Sequence, residues 1–257
     1  MKKLMIFVFL AIAPGLSLAA GGHVPLDPVK IDLSDQASLQ RGARIFVNFC
    51  LSCHSAAYMR YNRMGHDLGI SEELVEENLL FAADKVGDLM KAVMPREDAK
   101  DWFDAVPPDL TVITRSKTPE YLYTYMRGFY RDPATKSGWN NIAFPGAAMP
   151  HVLYEWQGHQ RAVFKTVMVE REVEQDGKKV KRQVEESHFD RFELERAGTM
   201  SAEDYDAAMR DLTNFMVYMG EPAKLHRGRI GVYVLLFLAV FFVVALLLKK
   251  EYWKDVH

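Results

Sequence analysis

The amino-acid sequence predicts a mainly α-helical domain that carries a small β-hairpin insertion and ends in one C-terminal transmembrane helix. Three observations predict it. Apolar residues recur at spacings of three and four in several separate stretches. An Asp-Gly pair, Asp176-Gly177, sits between two strand-like arms. Residues 230–248 form a run of 19 residues without a charge.

The chain has 257 residues, 49% of them hydrophobic, which is enough to bury a core in one or two domains. Residues 1–20 open with Lys2 and Lys3, continue as an apolar run and close on Ser17-Leu18-Ala19-Ala20, the pattern of a cleaved secretory signal. Residues 21–226 are expected to form the folded domain outside the cytoplasm. Residues 22–37 read as an extended arm. Residues 38–54 read as the first helix, with Leu39, Ala43, Phe46, Val47 and Cys50 on one apolar face and Asp35 or Ser38 as its cap.

Ser71 opens a second helix expected to run through about Ala83, with acids in its first turn. Residues 84–118 read mostly as loop around Pro95, Pro107 and Pro108. Thr118-Pro119-Glu120 starts a further helix with proline at its first position. Residues 131–150, rich in Gly, Pro and Asn, read as a non-helical wrap. The hairpin is expected over 164–185, as a small insertion. Ser201 caps the last helix of the domain, which runs to about Met219 and is interrupted at Gly220-Glu221-Pro222. This last helix is expected to pack on the first.

Residues 227–248 then read as the anchor and 249–257 as a short tail that stays in the cytoplasm because the domain is exported first. Tyr252 and Trp253 suit a membrane interface. Charge divides in the same way. Residues 20–226 carry a net −7 and residues 227–257 a net +3. An acidic body can attract a cationic partner. The mixed signs of the charge-rich stretch 171–186 give no nucleic-acid signature.

The chemistry concentrates at Phe49-Cys50-Leu51-Ser52-Cys53-His54. The chain holds two cysteines, both here. They could form a disulfide or a redox-active dithiol. With His54 directly following, C-x-x-C-H reads as attachment of a c-type haem. Two thiols three positions apart reach the two vinyl-derived carbons on one porphyrin edge, and the next residue offers an imidazole to the iron. An electron-transfer haem takes a second axial ligand, commonly Met or His. Met209, Met216 and Met219 lie at helical spacing and read as core, while Met90 and Met94 precede the proline segment. Met149 stands apart in Phe144-Pro145-Gly146-Ala147-Ala148-Met149-Pro150, where small residues let backbone approach a flat cofactor. His151 and His159 compete with it.

Four ordered segments, at 41–64, 106–130, 140–153 and 211–238, make the chain resemble the cytochrome c1 family, the haem-bearing subunits of cytochrome bc1 complexes, in their proteobacterial form. The resemblance covers nearly all of the mature chain. It implies a cytochrome c-like haem domain with one covalently bound haem c. Cys50 and Cys53 would be the thioether cysteines, and His54 and Met149 the axial ligands. Pro107, Pro108, Asp109 and Leu110 would line the pocket, with Pro108 on the His54 side. Arg115 would lie near the propionates, and Tyr123 and Tyr130 could meet the haem edge. It also implies electron transfer from a Rieske iron–sulfur protein to a soluble or tethered c-type cytochrome, with cytochrome b beside the anchor in the bacterial inner membrane and the haem domain in the periplasm. The chain would be a redox subunit of the enzyme with no substrate-transforming site of its own.

Overall fold

The computed structural model describes residues 24–175 and 178–254, without the side chains of 171–180. The expected signal segment, the Asp176-Gly177 turn and the last three residues lie outside the described residues. The chain is mainly helical, with small antiparallel strand pairs and one long apolar C-terminal helix.

Helix α1 (Gln36–Ile45) begins where the Asp35 carboxylate accepts the Ser38 N–H at 3.0 Å. It continues into a single π-turn, Phe46–Cys50, closed by the Leu51 N–H on the Phe46 carbonyl at 3.0 Å. The predicted apolar face is buried in full: Leu39, Ala43, Phe46, Val47 and Cys50. Its partner is α8 (Ala202–Gly220), capped by Ser201 as expected. The two helices cross at Gly42. A Cβ there would lie 2.2 Å from the Asp211 carbonyl oxygen and 2.6 Å from the Phe215 Cβ, so only glycine permits the approach. Phe46 and Phe215 meet with ring centroids 5.6 Å apart. Buried Asp211 accepts from Ser38 Oγ at 2.7 Å and from Arg41 Nε at 2.5 Å, so the crossing is also tied by charge-assisted bonds.

The connecting structure departs from expectation in three places. Strand β1 (Ala56–Arg60) pairs with the two-residue β2 (Leu89–Met90), and α2 (Tyr61–Leu68) follows β1 directly. Helix α3 (Glu72–Asn78) is capped by Ser71 but stops short of Ala83. The stretch read as loop contains α4 (Arg96–Phe103) and the single turn α5 (Ile113–Ser116). Helix α6 (Pro119–Arg127) starts at the predicted Thr118 cap, whose hydroxyl accepts the Tyr121 N–H at 3.2 Å. Strands β3 (Phe129–Arg131) and β4 (Trp139–Asn141) give the wrap after it a hairpin base. Arg127 clamps the N-terminal arm, bonding Asp27 and Asp206.

After the short α7 (Tyr154–Gln157), the hairpin is far longer than expected. It pairs β5 (Gly158–Gln175) with β6 (Lys178–Ala197), against the predicted 164–185. Alternation at its base is blurred by register shifts at His159/Gln160 and Val163/Phe164, which is why a period-two reading finds only the distal part. Gly158 has φ +90°, and a Cβ there would sit 2.2 Å from the Arg196 carbonyl oxygen. Gln160 fixes the ribbon to the body, its side-chain amide donating to the Phe129 carbonyl at 2.7 Å.

A 3₁₀ turn, Pro222–Leu225, separates α8 from α9 (Arg227–Tyr252). Helix α9 is long and apolar enough to cross a membrane, alone in this among the described residues, and none of its apolar window is buried.

Candidate haem-binding cavity

The end of the π-turn and the turn after it bring Cys50, Cys53 and His54 to one cavity of about 390 Å³. Cys53 N–H and His54 N–H both donate to the Cys50 carbonyl, at 3.1 and 2.8 Å, which winds the motif into a single tight turn. The two thiols are free. Burial, reinforced by neighbouring Cys53, pushes the Cys50 thiol up to about 12. A redox-active dithiol needs the opposite shift.

His54 is oriented from behind. Its Nδ1 lies 2.8 Å from the Pro108 carbonyl oxygen. A carbonyl can only accept, so Nδ1 carries the proton and Nε2 keeps its lone pair. Burial lowers the His54 pKa, against the opposing effects of the Pro108 bond and the Asp109 charge, which favours the neutral ligand form. The proline segment is itself pinned. Asp109 Oδ2 accepts the Ala57 N–H at 2.8 Å, Asp109 Oδ1 accepts the Thr111 N–H at 2.8 Å, and the Leu110 N–H donates to the Ser55 carbonyl at 2.8 Å. Pro107, Pro108 and Leu110 line the cavity.

Met149 lines the same cavity, with Ala147, Ala148 and Pro150 of its loop. Its Sδ accepts from the Tyr125 hydroxyl at 3.6 Å. The competing histidines are placed elsewhere. Buried His151 lies flat on Phe129 (4.9 Å between centroids, 5° between planes) and edge-on to Trp139, and His159 packs against Trp139 and Tyr154. Neither lines the cavity.

Arg115 does not line it either. Its side chain is 60% exposed and its guanidinium lies 3.4 Å from the Glu221 carboxylate. The cation on the cavity wall is Lys117, with its Nζ 5.0 Å from the centre of the Tyr121 ring. Lys117 follows the end of α5 on extended backbone and is exposed overall, so nothing in the sequence singled it out. Tyr123 and Tyr130 also face away, Tyr123 beneath Arg127 and Tyr130 against Phe164. Tyr121 and Tyr125, one helical turn apart on α6, take the cavity face instead.

A model of the Cytochrome C1 family matches residues 30–256. The chain belongs to the cytochrome c1 family. It is 49% identical over 257 residues to a cytochrome c1 of Allochromatium vinosum, covering all of both chains. It is 43% identical over 257 residues to a Nitrosomonas europaea protein named as an ammonia monooxygenase gamma subunit, across 99% of this chain and 100% of that one. A cytochrome c1 of Rhodospirillum rubrum is 24% identical over 286 residues, across 95% of this chain and 96% of that one. Family membership makes the chain a cytochrome c1-like redox protein, and the Cys50/Cys53 spacing is compatible with its haem motif.

Proposed function

We propose that the chain is the haem-bearing relay of a bacterial cytochrome bc1 complex, taking one electron at a time from a Rieske iron–sulfur protein and passing it to a c-type cytochrome. One observation carries this reading above the others. Two free thiols, an imidazole with its Nε2 lone pair available and a thioether all line one apolar cavity. That donor set fits a covalently attached haem c with His–Met ligation.

When bound, the haem supplies one-electron exchange between ferric and ferrous iron. Cys50 and Cys53 tether its edge. Pro108 holds His54 in the tautomer that can bind metal, and the small residues around Met149 leave room for a flat ring. Phe49, Ile113 and Leu122 exclude water from the walls. Lys117, the lysine on the cavity lining, would pair with a propionate, and Arg115, bonded to Glu221, would serve the junction with α9. Helix α9 anchors the domain beside cytochrome b in the inner membrane, with residues 21–226 in the periplasm and the tail in the cytoplasm. The chain acts as a redox subunit of quinol–cytochrome c reductase.

The test is purification of the full chain from its own membrane in mild detergent. Expected are a haem stain that survives denaturing electrophoresis, co-purifying cytochrome b and Rieske protein, and quinol-driven reduction of the haem. A stained chain recovered with a monooxygenase and without cytochrome b would overturn the bc1 assignment while leaving the haem in place. No stain would overturn both.

A further inference from the structure

Tyr125 reaches the candidate axial sulfur directly, and nothing in the electron-relay reading requires it to. Its hydroxyl donates to Met149 Sδ at 3.6 Å. Its ring is held on two sides, stacked on Tyr121 at 6.1 Å and edge-on to buried Phe129 at 5.1 Å. Phe129 in turn lies flat on His151, two residues beyond Met149, and His151 meets Trp139 edge-on. The Tyr125 carbonyl accepts from Asn141 Nδ2 at 2.7 Å, which ties α6 to β4 on the other side of the same loop. A continuous series of packed rings therefore sets the position of the phenol and of the Met149 loop together.

We propose that Tyr125 is a positioning residue that holds the Met149 thioether on the iron and raises the reduction potential of the haem. This rests on Met149 being the second axial ligand. A thioether sulfur has two lone pairs. The Tyr125 O–H takes one and leaves the other for the metal, which restricts rotation about the Met149 side chain. The bond also draws electron density from the sulfur. A poorer donor stabilises ferric iron less than ferrous iron, so the potential rises.

The experiment uses the full membrane-anchored chain with its haem attached. Tyr125→Phe keeps the ring packing and removes the donor. Expected are a sulfur-to-iron charge-transfer band that persists but moves, and a fall of about three- to tenfold in the equilibrium constant for haem reduction, roughly 30–60 mV for one electron. Tyr123→Phe, on the opposite face of α6, leaves both readings where they were. In the reduced wild-type protein, a nuclear Overhauser contact is expected between the Tyr125 hydroxyl proton and the Met149 methyl group. That measurement decides the matter if Tyr125→Phe does not fold. An unmoved band and midpoint in Tyr125→Phe, or no such contact in the wild type, overturns the proposal. A wild-type protein without the charge-transfer band refutes the Met149 ligand reading and takes the proposal with it. With the band present, a negative result touches Tyr125 alone.

Discussion

The two walls of the cavity are built in different ways. The wall carrying Cys50, Cys53 and His54 continues from the end of one helix, and that helix is seated against α8 at Gly42 with no space to spare. Its outer support, the proline segment, is fixed by the Asp109 carboxylate on the Ala57 and Thr111 N–H groups, and its Pro108 carbonyl accepts from the His54 ring. The wall carrying Met149 has no helix beneath the ligand. It is a loop between β4 and α7 whose first residues are bonded by the Asn140 and Asn141 side chains, while around Met149 it is held by rings from α6, β3 and β4 and by the single Tyr125 hydroxyl. Hydrogen bonds fix direction, whereas packed rings fix mainly distance and volume. One wall should therefore tolerate loss of the cofactor better than the other, and substitutions should separate them.

The largest expected effect is at the seat of the first wall. Gly42→Ala forces a Cβ against the α8 backbone and should destabilise the domain by about 3 kcal/mol or more. Chemical denaturation of the haem-loaded protein reads this directly, and a loss below about 1 kcal/mol would mean the helices can part. Met149→Ala is expected to abolish the sulfur-to-iron band while the haem stays covalently attached, since the thioether tethers belong to the other wall. Loss of the covalent stain as well would mean the walls are not independent. Asp109→Ala removes the acceptor for two backbone N–H groups and should cost about 1–2 kcal/mol. It should also perturb the His54 side in resonance Raman spectra before it touches the methionine band. Smallest is the effect of shortening the ribbon by joining Thr166 to Ser187 through Asn-Gly, which preserves the pairing that meets the body. Thermal unfolding of the domain is expected to change by less than about 1 kcal/mol, with an unaltered haem midpoint. A larger loss would give the ribbon a share in the second wall.

The difference between the walls also explains what could be read in advance. Caps are local chemistry, so Asp35, Thr118 and Ser201 marked their helices correctly. The C-x-x-C-H turn and the apolar face leading to it are local too. Helix α2 escaped because its sequence, with Asn62 and Gly65, is a poor helix former. It is carried by burial of Tyr61, Met64 and Leu68 and by bonds from Tyr61 N–H and Asn62 N–H to the Asp88 and Val86 carbonyls. Met149 stood out by its loop, yet sequence left His151 and His159 open beside it. Only the tertiary stacking on Phe129 and Trp139 turns those rings away. Helical phase would have favoured Tyr121 and Tyr125 over Tyr123 had the apolar side of α6 been located first, whereas Tyr130 lies beyond the helix in β3.

Glu221 occupies the short break between α8 and α9. Its carboxylate gathers Arg227 at 2.7 Å, Arg115 at 3.4 Å and Lys224 at 3.7 Å. Arg115 belongs to α5, next to cavity-lining Ile113, while Arg227 is the first residue of α9. One side chain thus works as a universal joint, with the electron-carrying body on one arm and the mast of α9 on the other. Three cations share its two oxygens, so a single carboxylate couples the α5 edge of the cavity to the first residue of α9.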